Sequence, residues 1–372
     1  MNPTIREARY SDCELIGALM CRNGISQNRL TTDYWAELWQ DNPAWLEDQL
    51  IPIGWVLEQS DNIVGYLGNV PLYYHYQGKR LMATAARGFA VDLESRSQSL
   101  RLVAAFFSQK NVDLLLNTTA NAPAGSVFHL CKAEKIPQPD YDKALFWIVN
   151  AQGFAGSVLR KRRYGSGLVT VGSAVLAPAL RIEGLLRGRG PLVSAETFDV
   201  SVLEPHSINE EFDAFWQRTL AERPQCLLAD RSLRTLRWHF SHRGVGARQA
   251  RFVCASRSGK LAGYIVLTRE DSADIGLRRS RVADLIAEND DPGLIDALLH
   301  AAFGQARADG SHILELVGFP ARIRARFAAG QAYMRPLPVW QFWYKAVSKK
   351  LHERLQDEDV WYGSSYDGDA SL

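Results

Sequence analysis

Apolar and polar positions follow the same order twice along this chain. Trp55-Val-Leu-Glu-Gln-Ser-Asp-Asn-Ile-Val-Gly-Tyr66 reads as a strand, a tight polar turn and a second strand. Phe252-Val-Cys-Ala-Ser-Arg-Ser-Gly-Lys-Leu-Ala-Gly-Tyr264 repeats the pattern, with Ser-Gly-Lys at the turn. The first copy continues through a buried strand ending at Gly88-Phe-Ala-Val91 and a polar turn, Glu94-Ser-Arg-Ser-Gln-Ser-Leu100. A helix with apolar positions Leu100, Leu102, Val103, Phe106 and Phe107 begins there, followed by a strand over 113–121 that ends in the polar run Asn117, Thr118, Thr119 and Asn121, and a helix over 124–133. The second copy continues with a strand over 281–287, a helix over 293–307 opened by Pro292, a strand over 312–317 and a helical segment over 322–330. Repetition at so long a period indicates two like domains rather than a solenoid. The expected organisation is a domain over 1–150, a connector over 151–190, a second domain over 191–350 and a tail over 351–372.

The copies differ at one place. In the first, the helix starts at the polar turn 94–100. The backbone N–H groups of a helix start attract anions and Arg96 adds charge, a cradle suited to a pyrophosphate. In the second, Ala287-Glu-Asn-Asp-Asp-Pro-Gly293 carries three carboxylates and no arginine. Carboxylates stabilise a helix start but repel phosphate. The working site is therefore expected in the first half, with the second as scaffold or substrate-shaping partner.

In order and content, residues 4–150 resemble the GNAT family of acyl-coenzyme A N-acyltransferases. In that family the turn after the fourth strand usually reads Arg/Gln-x-x-Gly-x-Gly/Ala. Here Arg96-Ser97-Gln98-Ser99-Leu100-Arg101 keeps the arginine, sets Ser99 where glycine is usual and sets Arg101 at the small-residue position. The resemblance implies an α/β (α+β) fold of two tandem GNAT-like domains, each a twisted, mixed, mostly antiparallel sheet flanked by helices. The related FemABX architecture also pairs two such domains. The implied activity is transfer of an acetyl or short acyl group to a primary amine, with acetyl-CoA or another acyl-CoA as co-substrate. Similar tandem proteins serve surface-polysaccharide or cell-envelope pathways, so an amino sugar is the expected acceptor.

The same resemblance assigns residues. Ala90 and Val91 of the fourth strand, with Arg96, Ser97, Gln98, Ser99, Leu100 and Arg101, would hold coenzyme A. Asn121, at the end of the fifth strand, would bond to the pantetheine arm; a helix cap is the alternative. Glu94 would be the general base, or else a helix-start carboxylate. His129 neighbours Phe128, which stands where the family's thiolate-protonating tyrosine is found. Trp35 and Trp39 lie where the acceptor site is often lined, although their helical spacing also suits packing. In the second half, Trp238 and His239 would line an acceptor pocket.

Composition narrows the picture a little. The 372 residues are 47% apolar and 23% charged with a net charge of +2, ordinary for a two-domain globular protein. Five scattered cysteines show no ligand-like spacing and suit a reducing cytoplasm. No metal is expected: Asp367-Gly-Asp369 offers two carboxylates without further ligands, and the tail is expected to dock Trp361 with its aspartates in water. Between residues 151 and 190, seven cations stand against Glu183 alone. They either decorate a connector whose apolar run, Leu168 to Leu180, packs on the sheets, or form a face for anionic lipid at the inner side of a membrane. That run by itself is too short to span a bilayer. The basic residues are not interleaved with aromatics, which argues against nucleic acid. Two other readings stay open: a FemABX-like transferase using aminoacyl-tRNA, and a non-catalytic module with a decayed cofactor site.

Overall fold

Both strand–turn–strand patterns fold as hairpins with two left-handed residues at the tip, Ser60 and Asp61 in one, Ser258 and Gly259 in the other. Such turns match the right-handed twist of their strands. The copies share a finer mark: each hairpin has a register shift near its turn, between Leu57 and Glu58 and between Ala255 and Ser256. The computed structural model describes residues 3–25, 32–120, 122–241, 249–337 and 339–372.

The N-terminal strands are β1 (Thr4–Glu7), β2 (Gly54–Gln59), β3 (Asn62–Tyr76), β4 (Lys79–Val91), β5 (Leu114–Ala120), β6 (Glu134–Lys135) and β7 (Lys143–Ile148). The later ones are β8 (Asp199–Leu203), β9 (Leu228–Ala229), β10 (Ala250–Arg257), β11 (Lys260–Arg269), β12 (Arg279–Ala287), β13 (Ile313–Leu316), β14 (Tyr333–Pro336) and β15 (Gln341–Ala346). Helices α1 (Cys13–Arg22), α2 (Thr32–Trp39), α3 (Pro43–Glu47), α4 (Ser99–Phe107), α5 (Ala122–Leu130), α6 (Ala151–Lys161) and α7 (Ser166–Leu186) precede α8 (Glu211–Glu222), α9 (Leu233–Phe240), α10 (Pro292–Ala308), α11 (Ala321–Ala329) and α12 (Lys349–Arg354).

These strands make two mixed sheets flanked by helices. One runs β1-β2-β3-β4-β5-β15-β6 with β9 added on β3, and the other runs β14-β7-β13-β12-β11-β10-β8. Among the described residues each has a single parallel pair, β4 with β5 and β12 with β13. The sheets do not follow a cut at residue 150. β7 pairs with β13 and β14 of the second sheet, and β15, from the second half of the chain, pairs with β5 and β6 of the first. Each parallel pair leaves an open edge on its outer strand, and in both cases the other repeat supplies the strand that covers it.

One continuous core runs through both halves, from Trp35 and Tyr74 to Phe252 and Trp361. A second cluster, with Trp55, Phe106, Phe107, Phe128 and Trp343, lies beneath α4 and α5 on the other face of the first sheet. The five cysteines are free thiols.

Two expectations are corrected. The tail does dock Trp361, whose indole N–H donates to the Leu355 carbonyl at 2.8 Å, but Asp367 and Asp369 are buried rather than hydrated. The apolar connector does not pack on the sheets. It extends past Leu180 as α7, which is 21 residues long and apolar enough to cross a membrane by length and composition. Most of its large apolar side chains face outward.

Candidate functional site

The first sheet opens where β4 leaves β5. They pair in parallel only from Ala83–Leu114 to Ala85–Leu116; beyond that point β4 stays on β3 and β5 stays on β15. β4 also bulges there. Tyr66 faces Ala90 and Gly68 faces Arg87, so Leu67 opposes both Gly88 and Phe89. Gly88 takes φ +67°, a conformation that favours glycine, and an extra residue at this point bends the strand. On β5, just past the last parallel pair, the Asn117 side-chain oxygen is buried without a hydrogen-bond partner among the described residues. A buried polar atom left unpaired costs about 1–3 kcal/mol unless a ligand or water completes it.

Residues of the tail line the other side of the opening. Thr118 Oγ1 donates to Asp369 Oδ1 at 2.8 Å, and a side chain on Gly368 would strike Thr118. Arg87, on β4, donates to the Asp369 carbonyl at 3.0 Å, to the Leu372 carbonyl at 2.9 Å and to the Tyr34 hydroxyl. Tyr74 donates to Asp367 at 2.9 Å, and burial pushes the Asp367 carboxyl above the usual range.

A narrow cleft adjoins this tail segment. Tyr73, Asp230, Trp238, His239, Tyr366 and Gly368 are among its walls, and its cavity volume is about 10 Å³, room for little more than one water. Helix α9 supplies two of them. Ser232 caps the helix by accepting from the Thr235 amide, and the Trp238 indole donates to the Glu37 carbonyl at 2.7 Å. His239 Nε2 lies 2.7 Å from Ser371 Oγ. Asp230 accepts from Thr235 Oγ1 at 2.6 Å and from Ser232 Oγ at 2.9 Å, with His75 Nε2 at 3.5 Å. Burial opposes its charge, but the nearby His75 ring and hydrogen bonds from Thr235 and Ser232 hold this carboxyl below its ordinary value. The cleft is thus aromatic with an anionic wall and one imidazole.

Neither a family model nor a curated protein matches the sequence. Solved structures do match the fold. A GCN5-related N-acetyltransferase of Anabaena variabilis superposes with a TM-score of 0.57 at 10% identity, covering 93% of this chain and 73% of that one. The N-myristoyltransferase of Saccharomyces cerevisiae, solved with bound myristoyl-CoA, gives 0.53 at 10% identity over 93% and 79% of the two chains. Eis1 of Mycobacterium abscessus gives 0.51 at 13% identity over 95% and 75%. The fold is the tandem GNAT fold.

Within the GNAT fold the residues expected from the sequence separate into groups. Trp238 and His239 come together in the cleft. Ala90 and Val91 lie on β4 beyond its bulge. Residues 93–98 form a 3₁₀ helix that runs into α4, so the Ser99 amide bonds to the Arg96 carbonyl instead of standing free. Arg96, Ser97 and Leu100 are exposed, while Gln98 and Ser99 are half-buried. Arg101 donates to the Pro3 carbonyl at 2.7 Å, tying the turn to the N-terminal segment. Glu94 is exposed beyond the end of β4, and His129 is exposed on α5; neither lines the cleft. Phe128 packs on Phe107. Trp35 and Trp39 are each 1% exposed and stacked at 4.7 Å, so they pack instead of presenting a face to a ligand. Asn121 lies outside the described residues. At the second helix start, Asp291 caps α10 by accepting from Gly293 and Leu294.

Arg87 is not singled out by the sequence, Asn117 is passed over for Asn121, and Asp369 reads there only as one of a carboxylate pair in water. Asn117 stands in one polar run with Asn121, and period-two alternation, which gives 115, 117 and 121 the same parity, offers no signal to choose between the two asparagines.

Proposed function

We propose that this chain transfers an acetyl or short acyl group from acyl-CoA to a primary amine, with an amino sugar as the favoured acceptor. The observation that carries the reading is the divergence of β4 from β5 beside the unpartnered Asn117 oxygen. An arm with amide N–H groups, as in pantetheine, fits an opening of that kind. Beyond Ala85 the edge of β4 that faced β5 has lost its strand partner, which leaves backbone donors for a thioester carbonyl. The acceptor's ammonium group would enter the neighbouring cleft, which has space for little more than a group of that size, and Asp230 draws it; the sugar ring would stay at the mouth. His239 then takes a proton from the ammonium and frees the nitrogen lone pair; as nitrogen attacks the carbonyl carbon the C–N bond forms, the C–S bond breaks, and the second nitrogen proton passes to the departing sulfur, so coenzyme A leaves as the thiol.

Thermal stability in the presence of acetyl-CoA, longer acyl-CoA and desulfo-CoA tests the binding half, because a ligand that binds the folded state stabilises it. No shift with any of them overturns the reading. Free-thiol release with a panel of amino sugars tests the acceptor.

Two variants sharpen this. Asn117→Ala is expected to weaken acyl-CoA binding roughly threefold to tenfold, the worth of one neutral hydrogen bond, while leaving the melting temperature unchanged or higher, since it deletes an unpaired buried oxygen. Unaltered affinity by calorimetry would detach Asn117 from the cofactor. Arg96→Ala is expected to weaken binding about tenfold, the scale of an exposed charge-assisted contact to phosphate. An equal loss for a pantetheine fragment lacking phosphates would move Arg96 off the pyrophosphate.

A further inference from the structure

We propose that the α6–α7 hairpin docks the protein on an anionic phospholipid bilayer, with α7 lying in the plane of the interface. Val169, Ser173 and Ala177 recur every fourth residue along α7 and are buried. A side chain on Gly156 of α6 would meet Val169 and Ser173, so this face packs on α6. On the opposite side Leu168, Val171, Val175, Ile182 and Leu186 are exposed, Leu186 at 83%. At 100° per residue these five fall in one stripe. It runs the length of a helix about 30 Å long, a larger continuous apolar feature than scattered surface leucines.

Both ends of the hairpin are tied to the protein body. On α6, Ser157 Oγ donates to the Gly276 carbonyl at 3.2 Å. Beyond α7, the Gly190 amide donates to the Gly330 carbonyl at 2.9 Å, and Glu183 accepts from Tyr333 at 2.5 Å and from Arg189 at 2.9 Å. Crossing a bilayer would carry this polar network into hydrocarbon, whereas a helix lying flat needs only the stripe to enter.

Charge names the occupant. Arg160, Lys161, Arg162 and Arg163 sit at the turn of the hairpin, and Arg181 and Arg187 near its other end. Among the described residues only Arg187 of these six has a carboxylate partner, Glu183. A second copy of this chain would bring cations against cations whichever way two α7 helices met, while anionic headgroups neutralise both ends. A cavity of about 720 Å³ opens beside the C-terminal end of α7, with Arg181, Leu185, His300 and Arg307 on its walls, so the same basic character continues behind the stripe.

This inference does not depend on the acyltransferase reading, and vesicle sedimentation of the full chain tests it. Binding is expected to vesicles of phosphatidylcholine with roughly one third phosphatidylglycerol, not to phosphatidylcholine alone, and to weaken as salt shortens the Debye length. Arg162→Glu with Arg163→Glu should lower partitioning on the order of tenfold or more. Val175→Asp with Ile182→Asp should abolish it. All four positions are exposed, so melting temperatures should stay at the wild-type value. Absence of binding to the anionic vesicles overturns the proposal, as does undiminished binding by both variants. Self-association that disappears in the Val175→Asp, Ile182→Asp variant, with no vesicle binding by the wild type, would assign the stripe to a second copy instead.

Discussion

His239→Gln should lower kcat roughly 10²–10⁴-fold, the usual worth of general-base catalysis, with the Michaelis constant for acyl-CoA little changed. Glutamine keeps a hydrogen-bonding group toward Ser371 but cannot accept the amine proton. The ring lies in the cleft, 2% exposed, between Trp238 and Tyr366, so the substitution should leave the pocket's shape largely intact. Glu94→Gln serves as the contrast. Its carboxylate is exposed beyond the end of β4, and the variant should turn over within a few-fold of wild type. Near-normal kcat in His239→Gln removes the imidazole from the chemistry; a large loss in Glu94→Gln returns the role to the carboxylate expected from the sequence.

Glu315→Gln should cost about 3–5 kcal/mol, the range for breaking a buried ion pair, and lower the melting temperature on the order of 10 °C. Glu315 is fully buried on β13. Its carboxylate accepts from Arg281 at 2.8 and 3.1 Å, from Arg279 at 3.3 Å and from Arg335. Burial alone would raise its pKa, but Arg281, Arg279 and Arg335 together pull it from 4.5 to about 2. The folded state therefore binds this proton less readily than the unfolded chain does. The stabilisation is complete above the unfolded value of 4.5 and is lost as pH falls toward 2. Urea melts across that window should show a shallower acid slope in Glu315→Gln. An identical slope in both proteins would mean that other carboxylates govern acid unfolding.

The parts of the fold that were legible are those set by local chemistry. Alternating apolar residues and turns of Ser-Asp or Ser-Gly fix hairpins within a dozen residues, so both repeats could be read directly. Strand exchange could not. β7 (Lys-Ala-Leu-Phe-Trp-Ile) and β15 (Gln-Phe-Trp-Tyr-Lys-Ala) are both good strand sequences, and nothing in either encodes which sheet edge it covers. The tail misled for a different reason. Carboxylates usually mark solvent, but Tyr74, Thr118 and Arg87 satisfy Asp367 and Asp369 from strands remote in sequence. In the candidate site, Trp238 and His239 were visible as an aromatic and an imidazole on one helix. Arg87 and Asn117 matter through the places that β4 and β5 give them, and those appear only when the sheet opens. The length of α7 was hidden by Arg181 and Glu183, which interrupt the hydropathy but not the helix.

The exchanged strands also bear on how the protein is made. On the ribosome, β1 to β5 can assemble as soon as they emerge, but the outer edge of β5, and β6 beyond it, must wait for β15, a late-synthesised segment. Until residue 341 is made, the nascent first sheet presents the kind of open edge through which unfinished proteins aggregate or pair with one another. Neither half is then a foldable product when expressed alone, and a chaperone that shields β5 during elongation would raise the yield of native protein more than one acting after release.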